Sequence, residues 1–329
     1  MNQPALSVRD LVVHYGRRHR TPPAVDGVSF DIAPGETLGL VGESGSGKST
    51  IGKAILGLQA ASSGSITLNG TDITTASLRQ RRVSAIDLRA VFQDPYSSLN
   101  PVQSIGQTLV EPLRVLRVPK PEQWQRAREA LEAVGLPSDA IDRSPAQLSG
   151  GQRQRVAIAR ALVCDPRVIV LDEPVSALDL STQAQVLNLL ADLRDRRQLA
   201  LLFIAHDLGV VRFLSQRVVV LYRGQVMEQG DVESVTQEPR HPYTVALTAA
   251  APVPHPAEQA LRRAARESLG IGAAGTAAAA PTGCPFVNRC PHAGDLCRTE
   301  RPPLIGTGTG GTSAACHRLD EVAALRTAH

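Results

Sequence analysis

Apolar residues along this chain fall into short runs, and several of the runs end in residues that carry chemistry. Thr37-Leu38-Gly39-Leu40-Val41, Arg167-Val168-Ile169-Val170-Leu171 and Leu201-Leu202-Phe203-Ile204-Ala205 are continuous runs of buried-strand type. Ile51, Ala54, Ile55 and Leu58 recur at helical spacing, as do Val156, Ala159 and Val163. Buried strands alternating with helical stretches predict an α/β core. Residues 5–41 read differently. Leu6-Ser7-Val8, Leu11-Val12-Val13-His14-Tyr15 and Val28-Ser29-Phe30-Asp31-Ile32 are strands joined by turns, which predicts an antiparallel β subdomain. Gly64 to Gly70 alternates between glycines and predicts a further strand, and Ala90-Val91-Phe92-Gln93-Asp94-Pro95 a strand running into a proline-limited loop. From about Pro101 to Ala146 the texture turns helical, with Trp124, Ala127, Leu131 and Val134 on one face and Gly135 as a stop. That stretch reads as a helical insertion. Val218–Tyr222 and Gly224–Glu228 form a hairpin at which the core is expected to close.

The run ending at Val41 leads into Gly42-Glu43-Ser44-Gly45-Ser46-Gly47-Lys48-Ser49-Thr50, which satisfies the phosphate-loop pattern in the required order of strand, glycine loop and helix. Its glycines let backbone N–H groups converge on phosphate oxygens, the helix start adds a favourable dipole, Lys48 brings a point charge, and Ser49 is placed to ligate Mg²⁺. The run ending at Leu171 delivers Asp172-Glu173, and the run ending at Ala205 delivers His206. Strand tips are where doubly wound sheets put their ligands. Asp172 can hold the water shell of Mg²⁺ while Glu173 orients and deprotonates water, against a plain reading of the pair as a capped strand-to-turn junction. His206 can hydrogen-bond a γ-phosphate or be structural. Leu148-Ser149-Gly150-Gly151-Gln152 opens a second helix with bare backbone N–H groups, another setting that suits phosphate. Gln93 at a strand end can bind Mg²⁺ or water, and Tyr15 can stack on an adenine ring. Taken alone, Tyr15 reads better as an amphipathic surface tyrosine, and a lone Gln is ordinarily a satisfied polar residue.

Composition narrows the class. The chain has 329 residues, 43% hydrophobic, 20% charged and only 3% aromatic, so one large aliphatic core plus a smaller appendage is expected. The net charge of +4 is mild, and basic residues are not interleaved with aromatics, which argues against nucleic acid as a partner. The start of the chain lacks the pattern of a signal peptide, and no apolar stretch approaches the ~20 residues that span a bilayer, so a cytoplasmic protein is expected. Of the five cysteines, Cys284, Cys290, Cys297 and Cys316 crowd into the last sixth of the chain, beyond an Ala- and Gly-dominated linker at 269–283. Their spacing is not that of a zinc ribbon. Four thiolates, two followed by proline, suit a [4Fe–4S] cluster, with zinc or unliganded thiols as alternatives. Cys164 reads as a small buried hydrophobe.

Taken together, Gly42–Thr50, Leu148–Gln152, Asp172-Glu173, Ser176-Ala177-Leu178-Asp179 and His206 resemble the ATP-binding subunit of ATP-binding-cassette (ABC) transporters over roughly residues 5–240. The resemblance implies a P-loop ABC ATPase core with an antiparallel β subdomain and a helical subdomain at about 101–165, followed by a small cysteine-rich extension at 241–329. It makes Tyr15 the adenine-stacking residue, Gln93 a loop glutamine sensing Mg²⁺ and the membrane subunit, and Asp179 a residue communicating across a dimer. ATP and Mg²⁺ are then held by Gly42, Ser44, Gly45, Ser46, Gly47, Lys48, Ser49 and Thr50 of one subunit. Ser149, Gly150, Gly151 and Gln152 of another complete the site, with Glu173 and His206 catalytic. A finer resemblance, to dipeptide and oligopeptide importers, rests on Val91–Pro101, His241-Pro242-Tyr243-Thr244 and the cysteine tail. The Pro95-to-Pro101 form looks like the F-type partner of a heterodimer. This implies a second ATP-binding subunit, two membrane permeases, an extracytoplasmic solute-binding protein and a peripheral position at the cytoplasmic face of the membrane. Nickel, glutathione or another small solute is the alternative cargo, and a soluble non-transport ATPase a more distant one.

Overall fold

The computed structural model describes residues 3–16, 22–94, 99–250, 282–307 and 311–322. Its centre is a sheet whose parallel strands are β3 (Thr37–Val41), β6 (Leu88–Val91), β7 (Val168–Asp172), β8 (Ala200–Ala205) and β9 (Arg217–Tyr222). They lie in the order β9-β3-β8-β7-β6. Burial on both faces explains why these strands read as unbroken apolar runs. Along β7 and β8, Ile169, Leu171, Leu201 and Phe203 pack into one core, and Val168, Val170, Ala200, Leu202 and Ile204 into the other.

The second of those cores is roofed by α1 (Lys48–Ile55), through Ile51, Ala54 and Ile55, and by an antiparallel sheet in the order β2-β1-β4-β5. Here β1 spans Leu6–Val13, β2 Val25–Ile32, β4 Ser63–Leu68 and β5 Thr71–Asp72. The two strands predicted from Leu6 and Leu11 are one. The register shifts between Val8 and Leu11, and Asp10 takes φ 45° there, so a bulge breaks the hydrophobic alternation without breaking the strand.

The first core carries the helical insertion: α3 (Ile105–Val115), α4 (Lys120–Ala133) and α5 (Gly150–Leu162), with α2 (Leu78–Asp87) ahead of β6. Ala127, Leu131 and Val134 are buried, as their spacing predicts. The helices α6 (Leu180–Arg197) and α7 (Leu208–Leu214) complete the layer. No described helix is long and apolar enough to cross a membrane.

The core does not close at the hairpin of β9 and β10 (Gln225–Asp231). After α8 (Val232–Gln237) and α9 (Pro242–Ala250), the chain returns with α10 (Asp295–Thr299), β11 (Ile305–Gly306) and β12 (Ser313–Ala314). The two short strands continue the central sheet as β11-β12-β10-β9, with Ala314 opposite Glu228 and Ser313 opposite Gln229. Cys284, Phe286, Val287 and Cys297 join the first core. The extension at 241–329 is therefore built onto the ATPase sheet where it is described. Strands of two residues carry no periodicity a sequence could reveal. The 269–283 linker lies almost wholly outside the described residues, as do Pro95–Ser98 of the family-specific loop.

Gly39 lies in the middle of β3 where α7 crosses it. A Cβ there would meet Val211 Cγ1 at 2.2 Å and Ser215 Oγ at 3.0 Å. Gly39→Ala is expected to cost about 1–3 kcal/mol by overpacking, read as a lower urea midpoint with an unchanged slope.

Candidate active site

The parallel register brings the chemically marked residues to one edge. Val41 faces Ala205, Asp172 faces Ile204, and Val91 faces Leu171, so Gly42, Glu173, His206 and the Phe92-Gln93 pair leave adjacent strands together. The edge is the carboxyl end of a parallel sheet, the expected ligand side of such folds.

The phosphate loop is shaped by glycines with positive φ: Gly42 at 153°, Gly45 at 79° and Gly47 at 103°. At Gly42 a Cβ would come within 2.2 Å of the Leu221 carbonyl oxygen, and at Gly47 within 2.5 Å of that of Ala24. These two are glycine because backbone occupies the space. Gly47 caps α1 with no side-chain bond to its first N–H groups, leaving bare donors at the helix start. Ser44 and Gly45 form the exposed crest, whereas Ser46, Lys48 and Thr50 are buried. Lys48 is folded into the loop, its Nζ donating to the carbonyls of Gly42 (2.7 Å) and Glu43 (2.9 Å). Burial pushes its ammonium pKa down, opposed by the charges of Glu173, Asp172 and Glu43.

Ser49 Oγ donates to Asp172 Oδ1 at 3.1 Å, joining the loop to the tip of β7. Burial pushes the Asp172 carboxyl up, with the Ser49 hydroxyl pulling the other way. A hydroxyl and a carboxylate oxygen meeting here are the oxygen donors that Mg²⁺ takes. Glu173 leaves the strand with φ 50°, a strained conformation for a residue with a side chain, and its N–H donates to the Ile204 carbonyl. That turn sets Glu173 Oε2 3.5 Å from His206 Nδ1. A cavity of about 100 Å³ opens beside the pair, lined also by Ser176, Gln183 and Val210. Gln93, exposed, is level with Glu173 in register. Tyr15, half exposed, has its hydroxyl 3.1 Å from Thr50 Oγ1, beside the loop.

Two predicted residue sets stay apart from this group. Ser149 caps α5, accepting from the Gln152 N–H while Gln152 accepts from the Ser149 N–H, a capping box that leaves the Gly150 and Gly151 N–H groups at the helix start. No hydrogen bond or ion pair among the described residues joins Ser149–Gln152 to residues 42–50. Asp179 caps α6, and hydrogen bonds from Thr182 and Ser181 hold its carboxyl well below the usual range.

The cysteine site needs correction in its geometry. Cys284, Cys290, Cys297 and Cys316 do line one narrow apolar cavity, with Phe286, Val287 and Pro302. Among the described residues, however, no three His, Cys, Asp or Glu side chains are drawn up as a ligand set. Burial pushes the thiol of Cys284 up to about 12 and that of Cys290 up to about 11. Cys164 is buried as expected, and its sulfur also accepts from Arg89 Nη2 at 2.7 Å.

Sequence reasoning passed over Glu43, a free position of the loop pattern. Its N–H donates to Tyr243 Oη at 2.9 Å, and its carboxylate takes both arms of Arg289, at 2.8 and 2.9 Å. The presence of Tyr243 in the His241–Thr244 signature was the signal available.

Comparison with known proteins places this geometry. Residues 25–176 match the family model for ABC transporters, and residues 227–297 that for the oligopeptide/dipeptide transporter C-terminal region. A Brucella ovis protein whose name assigns it to peptide import ATP binding is 49% identical over 302 residues, 92% of this chain and 94% of its own. The oligopeptide transport ATP-binding protein OppF of Salmonella typhimurium is 43% identical over 326 residues, 96% of each chain. Among solved structures, cbiO1 of Clostridium perfringens, part of the ABC transporter complex cbiONQ, superposes with a TM-score of 0.66 at 29% identity, over 72% of this chain and 92% of that one. The dimeric cassette MJ0796 bound to ADP and Pi does so with 0.62 at 28%, over 69% and 98%.

Because Gly42 has no room for a side chain, Gly42→Ala is expected to weaken binding of a fluorescent ATP analogue by at least about tenfold, with the far-ultraviolet dichroism unchanged.

Proposed function

The chain belongs to the ATP-binding subunits of ABC-type peptide importers, and from that premise we propose how its residues divide the work. It hydrolyses ATP to power peptide import as the nucleotide-binding subunit, an activity exercised together with membrane permeases and a substrate-binding protein. The observation that carries the finer reading is the convergence of Lys48, Ser49, Asp172, Glu173 and His206 on one edge while Ser149–Gln152 stands elsewhere. One chain holds both halves of a nucleotide site but does not bring them together. In a dimer, the phosphates bound by the loop of one subunit are closed over by Ser149, Gly150 and Gly151 of the other. We assign that partner to a second, different ATP-binding subunit, both bound at the cytoplasmic face of the membrane.

In this reading, the loop N–H groups and Lys48 hold the β- and γ-phosphates, and Tyr15 releases Thr50 to stack on the adenine. Ser49 and Gln93, with Asp172 behind them, would hold Mg²⁺, which supplies neutralisation of the phosphate charge. Glu173 takes the proton of the attacking water, and His206, across 3.5 Å, keeps the Glu173 carboxylate aimed and bonds the γ-phosphate. Asp179 sets the start of α6 and carries the closed state to the neighbouring subunit. Phe92, adjacent to Gln93, lines a groove of about 320 Å³ between the core and the helical insertion, with Leu56, Leu88, Pro112, Arg81 and Arg160. An apolar side chain at the tip of a permease loop, flanked by acidic groups or free carbonyls, fits that lining, and so the nucleotide state at Gln93 reaches the membrane partner.

The four tail cysteines line one cavity and are the donors that soft-metal clusters take. We assign them a [4Fe–4S] cluster, with Zn²⁺ as the competing occupant; binding either would require the thiols, not drawn up as a ligand set here, to ionise and close in around it. Anaerobically purified full-length chain is expected to be brown and to carry iron and sulfide, both lost in a Cys290→Ser, Cys316→Ser double variant. Colourless protein without bound iron would refute the assignment, and stoichiometric zinc would replace it.

Glu173→Gln is expected to keep ATP binding while turnover of the assembled importer falls by roughly 10²–10⁴-fold; near-normal turnover would mean that another group takes the proton. Lys48→Ala should instead lower nucleotide affinity itself, read by equilibrium binding.

A further inference from the structure

The C-terminal extension reaches the nucleotide loop, and nothing in the ATPase chemistry above uses that contact. We propose that it forms one wall of the site, with Tyr243 and Arg289 as positioning residues that hold Glu43 and, through it, the Gly42–Ser46 arc in the shape that receives phosphate. The proposal rests on the reading of residues 42–50 as the ATP loop.

Glu43 is gripped at three points. Its N–H donates to Tyr243 Oη at 2.9 Å, its carboxylate takes a two-armed bond from Arg289, and its carbonyl accepts from Lys48 Nζ at 2.9 Å. Two of the three grips come from residues at least 200 positions away in sequence. Both are rigidly backed. The Arg289 side chain is only 13% exposed, and its guanidinium lies 5.7 Å from the ring centre of Tyr222 and 5.4 Å from that of Phe286. Tyr243 is buried against Tyr222, with ring centres 4.8 Å apart, and against Phe286 at 5.4 Å. Its N–H donates to His241 Nδ1 at 3.0 Å. His241 is fully buried, which holds its pKa down to about 3 and keeps the ring neutral and able to accept. The N–H groups of Arg240 and His241 in turn donate to the two oxygens of the buried Glu228 carboxylate on β10, at 2.8 and 2.9 Å. An unbroken series of contacts thus runs from the sheet edge to the phosphate loop.

The charge arrangement gives this wall a function as well as a shape. A carboxylate at the second loop position stands close to where phosphates bind and would repel them. The Arg289 fork neutralises it with fixed geometry, which a lysine in water could not. Removing Arg289 therefore both loosens the arc and uncovers a negative charge.

The test is equilibrium binding of a fluorescent ATP analogue to the full-length chain. Arg289→Gln is expected to weaken binding by about five- to tenfold, and Tyr243→Phe by about fivefold. Adding Glu43→Gln to Arg289→Gln should restore affinity to within about twofold of the unmodified chain, because a neutral amide pair can bond without repelling phosphate. Arg301→Gln serves as the control. Arg301 fastens the same extension to Asp26 on β2, through Asp26 Oδ2 at 2.9 Å and its carbonyl at 2.8 Å. This variant should melt at a lower temperature with nucleotide affinity unchanged. Unaltered affinity in both Arg289→Gln and Tyr243→Phe would overturn the proposal. So would an Arg301→Gln variant as impaired in binding as Arg289→Gln, since the effect would then be general loosening. Failure of the unmodified chain to bind the analogue would remove the nucleotide-loop reading itself.

Discussion

A lysine ammonium held out of water is the constraint around which the rest of this molecule is arranged. Burying such a charge is costly unless partners meet it, and Lys48 meets two backbone carbonyls directly and the fields of three carboxylates. Those partners come from different segments, so the cost is met only when the loop, the tip of β7 and the start of α1 stand in one geometry. The parallel register supplies that geometry, since strands that end level deliver their next residues to the same edge. In the proposed role of Lys48, nucleotide phosphate would meet an ammonium that the fold has already taken out of water.

Much of this edge was legible in the residue order. The apolar runs ending at Val41, Leu171 and Ala205 are buried on both faces of the sheet, and such strands announce themselves because no solvent face dilutes the run. The chemistry sits one residue beyond each run, where a reader would look. The phosphate loop is equally visible, because glycines at Gly42 and Gly47 are dictated by backbone packed against them. Tyr15 and Gln93 could be placed only by resemblance, since one aromatic or one amide has no pattern of its own.

What escaped the sequence escaped for physical reasons. The bulge at Asp10 interrupts alternation without ending a strand, so β1 looks like two. The pairs β11–β12 and β10–β12 involve two residues each, too few for any periodicity. The ion pair of Glu43 with Arg289 spans 246 positions and involves two residue types common on any surface. Spacing that large leaves no local trace. The four cysteines were visible as a group, but the narrow apolar cavity they share is built by the fold of the returning chain, which their spacing does not reveal.

The placement of β12 has one more consequence. By pairing with Glu228 and Gln229 it covers part of the last strand of the central sheet, which would otherwise present unpaired N–H and C=O groups to solvent. Bare strand edges are templates for pairing with another chain. A shortened form ending after β10 would therefore lose more than an appendage: it would bare the β10 edge at Glu228 and Gln229 as a site for edge-to-edge self-association.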